Sequence, residues 1–223
     1  MTASLFDFPN WVYLLREFDS LYRNGSAGGS KPIRSHRKRV RDRLSAIIDA
    51  NPAFIERPVE TKPVVEHLGR AFDLGADNDL WRLSKAFERV CSGVAWEYGY
   101  SKIPPKLAKR YAYTEILGPR GPIQADNLIL GFVLFAPNTT YPQHSHRDIE
   151  ESYVSVAGTW SENDFATYAP GSLILNKAGH EHRITTGQLE PCLLAYAWVG
   201  TPERLTTVDM RFTAPAARRP GTA

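Results

Sequence analysis

The chain has 223 residues, enough for one good-sized domain or a barrel with an added helical region. Its 43% hydrophobic and 23% charged residues are ordinary for a globular protein and exclude an intrinsically disordered body. The formal net charge of +3 is too small to point to nucleic acid. No stretch approaches the ~18 apolar residues of a membrane span, so neither nucleic acid nor membrane is an expected partner.

Taken from the start, Met1 to Pro9 lacks a basic segment followed by an apolar run, which reads as no signal peptide and a cytoplasmic location. Residues 1 to about 105 read as a helical N-terminal region of about four helices. Asp7 and Pro9 can start the first, which carries Trp11, Leu14, Leu15, Phe18 and Leu21 on one face. Gly25 to Ser30 breaks the pattern. A second helix runs through Arg34-Ser-His-Arg-Lys-Arg-Val-Arg-Asp-Arg43 to Ile48 and ends before Asn51-Pro52. That basic run reads as a solvated face or an anion-attracting patch, because no recognition-helix motif accompanies it. Pro63 can sit in the first turn of a third helix, and Asp77 or Asp79 can cap a fourth bearing Leu80, Leu83, Phe87, Val90 and Val94. Cys91 and Cys192 lie far apart and outside any CxxC, so each is expected as a small buried apolar residue.

The texture changes after about residue 105. Short β-branched and aromatic runs at 111–117, 128–136, 152–157, 172–175, 193–199 and 206–212 alternate with Gly/Pro turns. Strands at this spacing predict an all-β barrel or sandwich over 106–213, followed by a flexible, Pro/Arg/Ala-rich tail at 214–223.

Four of the six histidines fall in this second half, in two His-x-His pairs, His144/His146 and His180/His182. Residues two apart on a strand share a face. His144 and His146 can therefore point together into a barrel, as can Glu151 and Tyr153. Glu150 then points the other way, a parity that favours Glu151 without closing the question. Two or three imidazoles with one carboxylate suit one first-row divalent ion (Zn, Fe, Mn, Ni or Co) with positions left open for a substrate.

The segment His144-x-His146-x4-Glu151-x6-Gly158 resembles the first cupin motif, and Gly171-x5-Lys177-x-Gly179-x2-His182 resembles the second. The resemblance implies a cupin β-barrel (a double-stranded β-helix, or jelly roll) and takes His182 rather than His180 as fourth ligand. Asn138, Lys177 and Thr186 stand where the motifs usually have Gly, Pro and Asn. A tyrosine two residues after the ligand carboxylate, Glu151-Ser-Tyr153, is similar to the cupin lyases of dimethylsulfoniopropionate (DMSP), most of all the L-type (DddL). That family implies a carbon–sulfur lyase releasing dimethyl sulfide and acrylate. It implies His144, His146, Glu151 and His182 as metal ligands and Tyr153 as base.

In such an elimination a sulfonium leaves as a neutral sulfide, so no general acid is required. The hard step is removal of a proton next to a carboxylate. A sulfonium end calls for aromatic faces, for which Tyr141, Trp160, Tyr196 and Trp198 are candidates. Tyr196 and Trp198 share parity, so both point inward or neither does. Tyr141 is the preferred second tyrosine, and His180 is either a partner of His182 or a rim residue. Competing readings are a cupin dioxygenase of a thiol or small organic acid, a sugar or keto-acid isomerase, and a ligand sensor binding DNA through its basic helices. The apolar helices could serve a homodimer as well as a lid.

Overall fold

The computed structural model describes residues 3–24, 29–99 and 103–207 and the backbone of 210–212; the expected flexible tail lies outside the described residues. Helix α1, Pro9–Asn24, opens on a proline whose missing N–H costs nothing there. It buries Trp11, Leu14, Leu15, Phe18 and Leu21, as the 3.6-residue period requires. Asp7 lies ahead of the helix, in a short 3-10 turn, and accepts the Ser4 N–H at 2.8 Å. Helix α2, Lys31–Asp49, buries His36, Val40 and Leu44 at four-residue spacing. The Pro63–His67 segment is a 3-10 turn that leads into α3, Leu68–Ala76. Helix α4, Trp81–Glu88, is preceded by Asn78, whose Oδ1 accepts the Leu80 N–H at 2.8 Å. Neither Asp77 nor Asp79 caps the helix as expected; Asn78 shapes the turn ahead of its first residue.

A one-turn helix α5, Pro105–Ala108, leads into the strands: β1 Tyr111–Gly118, β2 Ile123–Gln124, β3 Leu128–Phe135, β4 Thr140–His146, β5 Glu150–Ala157, β6 Trp160–Glu162, β7 Thr167–Tyr168, β8 Leu173–Asn176, β9 His182–Thr186, β10 Cys192–Val199 and, after helix α6 Pro202–Thr206, β11 Met210–Phe212. The last run, expected as strand from 206, therefore starts on the final residue of α6, with strand described at 210–212. Among the described residues the strands form two sheets, ordered β2-β1-β3-β10-β5-β8 and β11-β4-β9-β6-β7. This is the cupin jelly roll, with the helices mostly N-terminal.

The six-stranded sheet is apolar on both faces, so its strands are buried without a break along β3 and β10. Alternation sorts them. Leu193, Ala195, Ala197 and Val199 join the helices in one core, whereas Cys192, Leu194, Tyr196 and Trp198 fill the barrel in another. Phe132 anchors the first core, stacked on Phe87 of α4 at 3.9 Å and 5.2 Å from Phe18 of α1. The helical region and the barrel are therefore joined through a shared core.

Two expectations change. The basic run is not simply solvated: His36 is fully buried, Arg37 donates to Tyr22 O at 3.2 Å, Arg39 pairs with Glu150, and Arg43 donates to Asn127 O and Gly200 O. Much of the positive charge is spent tying α2 to α1 and to the barrel. Cys192 is buried as expected, but Cys91 is partly exposed, because the chain leaves the α4 face in a 3-10 turn there. The departures from the cupin motifs fit their places. Asn138 adopts φ +52°, a left-handed conformation that asparagine tolerates. The Thr186 hydroxyl accepts the Thr139 N–H at 2.9 Å and donates to Ala136 O at 3.0 Å.

Candidate metal centre and active site

Three strands supply the centre. His144 and His146 come from β4, Glu151 from β5 and His182 from β9; one ligand atom of each lies within 4.8 Å of all the others. His144 and His182 face each other directly in the β4–β9 register. All four side chains are at most 3% exposed. Among the described residues no other such group of histidine, cysteine and carboxylate converges.

The ring orientations are set by backbone carbonyls. His144 Nδ1 donates to Pro142 O at 2.9 Å and His182 Nδ1 donates to His180 O at 3.1 Å. Each ring thereby turns Nε2 inward with its lone pair available. His180 thus helps His182 through its carbonyl, while its exposed side chain lies 3.3 Å from Asn176 Oδ1. Glu151 Oε2 lies 2.9 Å from His182 Nε2 and 3.6 Å from His146 Nε2. None of these three buried atoms has a well-aligned hydrogen-bond partner among the described residues. Buried polar atoms are normally paired. Converging lone pairs with no partner are what a cation would satisfy, so the donor set fits a divalent ion.

The electrostatics agree. Burial, reinforced by His182, pushes His144 down to about 3, and burial lowers His146. These two imidazoles favour the neutral form, whereas at His182 burial is outweighed by the charge of Glu151, which raises it and favours its proton. Burial works against ionisation of Glu151, but the surrounding imidazoles outweigh it and hold the carboxyl well below its usual range. Glu150, its neighbour, faces the helices and pairs with His36 and Arg39.

A cavity of about 70 Å³ opens beside the centre, lined in part by His144, His146 and Tyr153. Tyr153 follows Glu151 by two residues on β5 and is 7% exposed. Burial, and next the charge of Glu151, raise its phenol well above 10.0. Tyr141 also lines the cavity, its ring 4.8 Å from His144 and its hydroxyl 3.4 Å from Tyr111 Oη. Tyr141 and His144 are three residues apart, a spacing that strict alternation puts on opposite faces. The β4–β9 register slips between them, over a stretch that includes Pro142 with no N–H to donate, and both turn inward.

Tyr196 and Trp198 both point into the barrel. Gly131 makes room for the first: a Cβ there would stand 2.6 Å from Tyr196 Oη. The Trp198 indole N–H donates to Glu151 Oε1 at 2.6 Å. Trp160 is buried 5.8 Å from the Tyr153 ring and packs behind it rather than on the cavity wall. Sequence reasoning passed over Tyr111, Tyr113 and Arg120, which line the cavity as well. The alternation of Tyr111 and Tyr113 on β1 was the signal available for two of them.

A sequence profile of the DMSP lyase family matches residues 36–194. The chain belongs to this family. A candidate DMSP lyase DddL of Cereibacter sphaeroides is 65% identical over 213 residues, covering 96% of this chain and 92% of that protein. Among solved structures, the DMSP lyase DddQ of Ruegeria pomeroyi superposes with a TM-score of 0.69 at 21% identity, covering 95% of this chain and 100% of DddQ. A chain from the crystal structures of the DMSP lyases RdDddP and RnDddQII gives 0.65 at 20% identity, with 92% and 98% covered. At that identity the two structures speak for the fold. Within the DMSP lyase family the expected L-type resemblance thus extends over nearly the whole chain.

Proposed function

We propose that this protein is a metal-dependent lyase that cleaves DMSP to dimethyl sulfide and acrylate by β-elimination, with Tyr153 as the base. The observation that carries this reading is the placement of Tyr153. It lines the same cavity as His144 and His146 of the four-residue group, in a chain of the DMSP lyase family.

His144, His146, Glu151 and His182 would hold the ion. A divalent ion bound there supplies Lewis acidity toward the substrate carboxylate and a positive charge that favours the Tyr153 phenolate. Tyr153 then takes the proton from the carbon beside the carboxylate. The released electron pair forms the carbon–carbon double bond, the C–S bond breaks, and its pair leaves on sulfur as neutral dimethyl sulfide. Tyr141, Tyr196 and Trp198 line the cavity, and their rings would attract the sulfonium without binding it as strongly as a charge pair would. Trp160 would brace the Tyr153 ring from behind. The cavity has room for about five waters, a scale that suits a short acyclic acid better than a sugar phosphate.

The reading is tested by giving DMSP to purified protein loaded in turn with Zn, Fe, Mn, Ni or Co, under argon and under air. Equimolar dimethyl sulfide and acrylate, with no need for O₂, are expected. The rate should climb through the alkaline range as the phenolate forms. A requirement for O₂, or no release with any of these metals, would refute the lyase.

A further inference from the structure

Trp198 does more than present an aromatic face. It sits directly across the β5–β10 register from Glu151, and its indole N–H donates to Glu151 Oε1 at 2.6 Å. Both side chains are buried, Trp198 at 9% and Glu151 at 1% exposure. The carboxylate is therefore divided in function. Oε1 is taken by the indole, and Oε2 is the atom that reaches toward His146 and His182 without an aligned partner. The Trp198 ring itself lies against the His146 ring at 4.5 Å, so the donor cannot swing away without disturbing a second ligand.

We propose that Trp198 is the positioning residue of the metal-ligating carboxylate, holding Glu151 to a single ligand oxygen and so keeping a coordination position open for the substrate. Phenylalanine at 198 would keep an aromatic ring and remove the donor. Oε1 would then lose its 2.6 Å indole donor, and the ion offers the strongest replacement for it. Glu151 would chelate through both oxygens and occupy the open position. This rests on the metal site of the proposed function, but not on DMSP being the substrate.

The test compares Co(II)-loaded parent and Trp198→Phe by visible absorption, which reports coordination number, and by competition with a chromophoric chelator. The account expects a weaker, shifted Co(II) band in the variant and an affinity changed by about 10–100-fold, the usual effect of losing such an outer partner. An unchanged band and affinity in a folded variant would overturn the positioning role and leave the metal site intact. A parent that binds no Co(II) would overturn both. Should Trp198→Phe fail to fold, the indole N–H signals of the five tryptophans decide in ¹⁵N-labelled protein. One must move in Glu151→Gln; if none does, the hydrogen bond and the proposal fall together.

Discussion

Glu150 and Glu151 are adjacent in sequence and opposite in consequence. Strand alternation sends Glu151 into the barrel among three imidazoles and Glu150 outward to His36 and Arg39 of α2. That parity was legible from Glu151-x-Tyr153 and the preceding His-x-His. The partners were not, because Trp198 and His36 reach these carboxylates only through cross-strand register and helix docking, which no local pattern encodes. The hydrogen bond from His36, and after it Arg39, hold Glu150 down to about 2 from 4.5, against its partial burial. Because the folded-state value is the lower one, the pair's stabilisation is complete above the unfolded value near 4.5 and fades as pH falls toward about 2. Melting curves of parent and Glu150→Gln should therefore be furthest apart at neutral pH and converge on acidification. A gap that stays constant down to about pH 2 would show that the pair is not its source.

The strands were legible as elements but not to the residue. The β5 run was expected to start at 152, yet the strand begins at Glu150, since the charged pair at its start hides the apolar alternation. Helix α2 shows the reverse problem. Its composition reads as solvent-facing, but packing selects His36, Val40 and Leu44 and turns three arginines into ties across the fold. At β4 the odd spacing of Tyr141 and His144 conceals a bulge, which depends on pairing with β9. β3 illustrates how one strand serves two cores: Phe132 faces α1 and α4, while Val133 and Phe135 line the cavity. Phe132→Ala should cost about 3–5 kcal/mol, from lost burial and a cavity between Phe18 and Phe87. For a chain of this size that is a fall of roughly 6–20 °C in Tm. The variant, once folded, should still bind the ion; a melting loss under a degree would mean the helices do not seat on the sheet as described.

At the scale of the molecule, a six-stranded sheet separates a helical core from the barrel that holds the candidate site, and β5 contacts both. Tyr22 of α1 meets Ser152 at 2.9 Å on one face, between the two residues, Glu151 and Tyr153, that build the site on the other. The barrel and the four side chains that converge in it could be read from two short motifs, because such motifs fix residue type and spacing tightly. The role of the helices as cover for the back of the sheet could not, because apolar stripes specify burial without naming a partner.

The most direct test of the central claim is dimethyl sulfide release by metal-loaded Tyr153→Phe and His182→Ala beside the parent, with bound metal measured in each. The account predicts that Tyr153→Phe keeps its metal and loses about 10²–10⁴-fold in rate, while His182→Ala loses metal and activity together. A Tyr153→Phe enzyme that turns over DMSP at close to the parental rate would contradict it.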